Sequence, residues 1–322
     1  MAGPTHSARR APSVLRDVAE MWHFARREGI AADLKALHRP RSAHSLAAAA
    51  VDWTLVALAG AAPFVLGWQA VPFSLLVMGN RQRALGNLLH DAAHWSFDAN
   101  HRRSGIVANV LFCWPLGVSM AVYRDEHYRH HKYLGEPGRD PDLIHDEARL
   151  SGGWLRLWRD QVLSPRLFRG ALLGDLFRMD AASLAGVAVW WAAALAALAA
   201  AWGTDAALSF FALWVASRAT VFHAITAFRE ISDHVGLAPG SLLGFTRNHP
   251  FHGALGEIFH PHHNGYHLLH HLNPGIPFHA LPRAHELLAV WPRYRAGEHC
   301  QRYFAGRASA VRSWERRGAV AG

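Results

Sequence analysis

Apolar residues in this chain are gathered into blocks, and those blocks leave few folds open to it. Residues 46–68 form an apolar run long enough to cross a hydrocarbon core of about 30 Å, and 71–89, 184–202 and 206–228 are comparable runs. Lipid offers no hydrogen bonds, so a crossing segment has to satisfy its backbone internally, as a helix does. The short connections 67–70 and 203–205 join the four runs into two hairpins. The expected architecture is therefore an all-α integral membrane protein, with four transmembrane helices in two hairpins and a cytoplasmic helical cap that carries the histidines.

Several polar residues interrupt the runs: Asp52 in the first, Asn80, Arg81 and Arg83 in the second, Arg218 and His223 in the fourth. Charged groups avoid hydrocarbon, so these are expected to turn toward protein, water or a substrate cavity. The formal charge of +9 could suggest nucleic acid, but the basic residues sort by topology. Eight Lys or Arg precede the first run, ten lie between Tyr123 and Asp180, and ten follow Phe228, whereas the two short connections have none. That asymmetry follows the positive-inside rule and puts both termini and the His-rich segments in the cytoplasm, at the inner membrane if the cell is bacterial. Nucleic acid is excluded as a partner on the same ground.

Three regions follow. Residues 1–45 are a cytoplasmic N-terminal segment whose stretch 13–37 reads as an Arg-rich amphipathic helix on the membrane surface. Residues 46–290 are the membrane domain, within which 150–180 interleave Trp, Leu and Arg as an interfacial segment does, and 291–322 are a basic tail. Cys113 and Cys300 offer neither a disulfide framework nor a zinc finger.

Of the 24 histidines, eight fall in three clusters: His90-Asp-Ala-Ala-His94, His127-Tyr-Arg-His130-His131 and His267-Leu-Leu-His270-His271. Residues at i, i+3 and i+4 share one helix face, so each cluster can direct two or three imidazoles at a common point. A lone i,i+4 pair is more often a surface pair than a ligand pair. Three clusters, each near the end of an apolar run, make chance a poor explanation. Beyond the last run, Glu230-Ile-Ser-Asp-His234 sets His234 to add a ninth imidazole if the helix continues that far.

Imidazole suits several transition metals, so the donors alone do not select one. HExxH and CxxCH are absent, and from the first apolar run onward Glu-x-x-His occurs once, at Glu257 and His260, where a carboxylate di-iron bundle needs two. A single metal site needs His90 and His94 on the same side as His127–His131. The apolar stretch 106–122, with Pro115 and Gly117, is accordingly expected to be re-entrant rather than crossing. His260, His262 and His263 read more readily as structural, Pro261 breaking their period. His249 is expected at the surface or in a hydrogen bond, as are His145 and His252, and His223 to line a substrate cavity.

The order HxxxH, HxxHH, two apolar runs, then HxxHH resembles the membrane fatty acid desaturases and their hydroxylase relatives. The resemblance extends to residues 229–234 and to 264–274, followed by Pro277 and Leu281-Pro282. It implies two iron ions, O2 as co-substrate, and His90, His94, His127, His130, His131, His234, His267, His270 and His271 as ligands. Asp91, Asp140, Asp142, Glu230 and Asn264 would support them, the carboxylates by accepting the free imidazole N–H. Asp233 stands where relatives often carry Glu, which weakens any specific role for it.

The third cluster begins with His267 rather than Gln, and no His-Pro-Gly-Gly haem motif occurs. Electrons would then come from a separate ferredoxin, rubredoxin or cytochrome b5 type donor and its reductase. The implied reaction is desaturation of a fatty acyl chain or other membrane lipid; a long apolar substrate entering between spans would pass Trp190, Trp191 and Trp214, which read equally as ordinary membrane packing. Hydroxylation or ketolation of a lipid, carotenoid or small biosynthetic intermediate begins with the same hydrogen abstraction, and no residue separates the outcomes. A His-rich metal transporter would instead carry its ligands in mid-span.

Overall fold

A computed structural model of the protein describes residues 13–144, 153–250 and 253–314. His145 and His252 lie outside the described residues. Apart from a two-residue parallel pairing of β1 (Arg247–Asn248) with β2 (Glu298–His299), every regular element described is helical.

Three helices are long and apolar enough to cross a membrane: α2 (Ser42–Leu66), α8 (Ala181–Trp202) and α9 (Thr204–His234). The count rises to four if the bent pair α4 (His101–Leu116) and α5 (Met120–Tyr133) is taken as one span. Val187 is the sole buried residue of α8, an arrangement suited to a lipid surrounding and to few others. The expected second span is helical, as α3 (Val71–Ala93), but its polar residues keep it out of that set. They face protein: Arg81 Nη1 donates to Asp52 Oδ1 at 2.9 Å, and Asp52 Oδ2 meets His262 Nε2 at 2.7 Å. Asn87 Nδ2 donates to the Pro261 carbonyl at 2.7 Å, so the inner face of α3 anchors the loop before the third histidine cluster.

The stretch 106–122 bends by 89° between α4 and α5. His94 at the end of α3 and His127 on α5 have Nε2 atoms 2.8 Å apart, so the intervening chain returns to the level it left. At the other end of the site, α9 has 31 residues, or about 46 Å of helix against the ~30 Å of a hydrocarbon core. Glu230 and His234 lie near the end of this length, where shorter helices form a cap over the site.

Shorter helices build that cap. They include α1 (Ser13–Arg27), α6 (Trp154–Val162), α7 (Pro165–Leu173), α10 (Ala254–Phe259), α11 (His267–Leu272) and α12 (Leu281–Leu288). Unlike the surface helix expected from its pattern, α1 turns its apolar face inward. Met21, Phe24 and Ala25 join Leu268, Leu272, Leu288 and Trp291 in one core, since the cap offers apolar surface closer than a bilayer would. The C-terminal segment also packs: Tyr303 and Trp314 are buried with Phe228 and Ile231 of α9. Trp53, Trp190, Trp191 and Trp214 contact one another at 5.0–5.8 Å between ring centres, which makes them packing between helices rather than an entry face.

Candidate metal centre

All nine predicted imidazoles converge, in two groups. His90, His94, His127, His131 and His270 form one, and His130, His234, His267 and His271 the other; within each, the possible ligand atoms lie within 4.8 Å of one another. Helix geometry explains the division. The i,i+4 pairs His90/His94 and His127/His131 stay together in the first group, and His267/His271 in the second. The middle histidine of each HxxHH, about 100° around the helix from its neighbour, crosses to the other group. A box therefore serves two points, where the sequence reading gave it one. His131 and His271, one from each group, have their rings 4.2 Å apart, so the groups abut.

The supporting frame is specific. At the C-terminus of α3, Ser96 N–H donates to the Asp91 carbonyl at 3.0 Å and Trp95 N–H to that of Ala92 at 3.3 Å. This closure requires a left-handed residue, and Trp95 supplies it at φ 60 where glycine is usual. Arg124 of α5 offsets the strain: its guanidinium lies 3.7 Å from the Trp95 ring and donates to the carbonyls of Ala92 and Ala93. Tyr128 adds a hydroxyl bond to Ala93 at 2.6 Å, so the second box's helix caps the first box's helix. Buried Arg247 closes the end of α9 by donating to the Ile231 and Val235 carbonyls at 3.4 and 2.7 Å.

The donor geometry fits metal better than hydrogen bonding. In the first group, Nε2 atoms follow one another at 3.0, 3.0, 3.1 and 2.8 Å, through His90, His270, His131, His127 and His94. In the second the spacings are 2.9, 3.0 and 3.3 Å, through His234, His267, His271 and His130. A neutral Nε2 has one proton or one lone pair, so it cannot serve as donor on one side and acceptor on the other. Spacings of about 3 Å match the edge of an octahedron with nitrogens at ~2.1 Å from its centre. Two of the tautomers follow from acceptors on the far nitrogen. His130 Nδ1–H donates to Asp140 Oδ1 at 2.8 Å and His234 Nδ1–H to the Phe245 carbonyl at 2.9 Å, which leaves both Nε2 lone pairs facing the group.

Burial, above all other causes, pushes the His267, His270 and His271 imidazoles well below their ordinary pKa. They stay neutral, the form that binds metal. For Asp140 burial works to raise the pKa, but the bonds from His130 and the Gly135 N–H outweigh it and hold the carboxyl below the usual range.

The other supporting residues divide. Asp142 Oδ2 is 3.8 Å from His130 Nδ1 on a side chain 54% exposed, so Asp140 is the closer acceptor. Buried Asp91 accepts the Phe278 N–H at 2.8 Å, while its other oxygen is 3.8 Å from His90 Nδ1; it ties the chain after the third box to the first. Glu230 lines a cavity below the imidazoles. Among the described residues the buried Asn264 Oδ1 has no hydrogen-bond partner, and Asn264 hydrogen-bonds to none of the nine imidazoles. His223 donates to the Val162 carbonyl at 2.8 Å and is not part of the cavity wall.

Sequence reasoning undervalued Asp233. It is buried, accepts from Arg229 Nε at 2.9 Å, and lies 3.7 Å from His267 Nδ1 and 3.5 Å from His260 Nε2. With His249, which is buried and hydrogen-bonded through Nε2 to the Ser232 carbonyl at 3.3 Å, and His260 it makes a further group of possible metal-binding atoms behind His267. Its place on α9, one residue before His234, was the available signal.

The cavity has a volume of about 210 Å³, and its wall runs from Leu89, Leu116 and Phe222 to His127, His130, His234 and His267.

Comparison with known proteins agrees with this layout. The profile of the fatty acid desaturase family matches residues 66–302. A dihydrorhizobitoxine desaturase from Bradyrhizobium elkanii is 26% identical over 275 residues, 76% of this chain and 75% of that protein. A Delta 8-(E)-sphingolipid desaturase from Kluyveromyces lactis is 30% identical over 80 residues, which cover 25% of this chain and 14% of its own.

Proposed function

Because the chain belongs to the fatty acid desaturase family, a family of di-iron membrane proteins, we propose that it is an O2-dependent oxidoreductase that introduces a carbon–carbon double bond into a substrate held beneath the imidazoles. The observation that carries the reading is the pair of abutting groups, five imidazoles and four. His90, His94, His127, His131 and His270 would hold one iron, and His130, His234, His267 and His271 the other. Two irons so bound would activate O2 and provide the oxidant that removes hydrogen from an unactivated C–H bond.

The chain's own contribution is position and exclusion. Asp140 and the Phe245 carbonyl hold the protons on the far nitrogens of His130 and His234, which keeps the near nitrogens available. Burial of most of the ligand set keeps water from the oxidant, and the cavity sets which carbon lies next to the site. Electrons come from a separate donor protein of the ferredoxin, rubredoxin or cytochrome b5 type. The named relatives are desaturases, which favours an alkene product over a hydroxylated one.

In this reading α3 crosses the bilayer beside α2, giving four spans, and 106–122 is re-entrant. The distribution of Lys and Arg sets the metal centre and both termini in the cytoplasm. Lipid and metabolite profiling of cells with and without the gene tests the reaction. A product with one added double bond is expected; a product with one added hydroxyl and no alkene would overturn desaturation.

A further inference from the structure

The wall of the cavity below the imidazoles carries four carboxylates, Glu126, Asp142, Glu230 and Asp233, and also guanidinium groups, for which a hydrocarbon chain has no use. Arg83, Arg218 and Arg229 all line it. Arg229 is paired with Asp233. Arg83 and Arg218 form no ion pair among the described residues. Arg83 is 8% exposed and donates from Nε to Asn87 Oδ1 at 3.1 Å, a neutral partner. Arg218 is 6% exposed; its Nε donates to the Leu172 carbonyl at 3.2 Å and its buried Nη1 has no hydrogen bond.

A buried guanidinium without a counter-charge is costly, and leaving a donor unmet adds to that cost. The position of Arg218 is built in. It opens a π-helical turn, Arg218–Phe222, inside α9, and such turns re-aim a side chain within an otherwise regular helix. That turn is held against α3 at Gly79, where a Cβ would come within 2.6 Å of Val221 Cβ. Carboxylates answer this charge only from a distance: Glu126 pairs with Arg178, Asp142 faces His130, and Glu230 and Asp175, which act on Arg83 and Arg218 through space, form no ion pair with them among the described residues. At about 210 Å³ the cavity is also below the ~300–1,000 Å³ usual for a drug-sized ligand.

We propose that the substrate is a small carboxylate rather than a long-chain acyl lipid, its oxyanion held by Arg83 and Arg218 and its carbon chain directed toward His127 and His267. Glu230 offers an acceptor for a hydroxyl or ammonium group on the same molecule. The inference rests on the desaturase reading and supplies its substrate class, replacing the fatty acyl chain expected from the sequence.

The test is equilibrium binding to the purified, metal-loaded protein in detergent, with hexanoate, hexanamide and palmitate as probes and iron measured on the same sample. Hexanoate is expected to bind at least ~10-fold tighter than hexanamide, about 1.4 kcal/mol, and Arg218→Gln should remove that preference with iron content unchanged. Equal binding of hexanoate and hexanamide would overturn the proposal, as would palmitate binding more tightly and escaping competition by hexanoate. Should Arg218→Gln fail to fold, the acid-versus-amide comparison on the unaltered protein decides. Absence of iron would fail the di-iron reading separately, because the carboxylate preference is read at the arginines and not at the metal.

Discussion

The two imidazole groups are built differently. The second, around His267 and His271, is braced from outside: Asp140 on His130, the Phe245 carbonyl on His234, and Asp233 near His267. The first, around His90 and His270, has among the described residues only Asp91 close to a far nitrogen, at 3.8 Å, and that carboxylate is engaged by the Phe278 N–H. Rigidity there comes from backbone closure, with Arg124 and Tyr128 capping α3. In one group two of the four rings, His130 and His234, are oriented by hydrogen bonds, and in the other the helices that carry the rings are fixed. Orientation by hydrogen bond sets tautomer and basicity; orientation by helix end sets position alone.

The largest effects should treat the groups alike. His270→Ala in the first and His267→Ala in the second should each reduce turnover to background while the protein still inserts in the membrane. Full turnover in either variant would remove that residue from the ligand set. Carboxylate variants should then separate the groups. Asp140→Ala frees the His130 proton and should weaken retention of one metal by about 10–100-fold, read as loss to a chelator. Asp91→Ala releases a backbone N–H and should lower stability by about 1–3 kcal/mol with metal retention unchanged. Equal metal loss in both variants would erase the distinction drawn here.

Much of this centre is legible in the sequence because i,i+4 spacing and apolar run length are local properties. Helix periodicity alone brings His127 beside His131, and continuation of the last apolar helix through residue 234 adds His234 to the site. The division of each HxxHH between two points is not legible in the same way. It depends on α5 and α11 meeting face to face, a tertiary fact. Asp233 is discounted in the sequence because it stands where relatives often carry Glu, and residue type alone does not show that the side chain is buried between His267 and His260. The Phe245 carbonyl was invisible because backbone acceptors leave no mark in residue type. The amphipathic pattern of α1 was read correctly as a pattern but assigned to a bilayer, when Leu268 and Trp291 supply the apolar partner.

Iron content per chain in the detergent-purified protein tests the central claim most directly. Two abutting groups predict two irons, one for each. A single iron per chain, or zinc with no iron-dependent turnover, would contradict it.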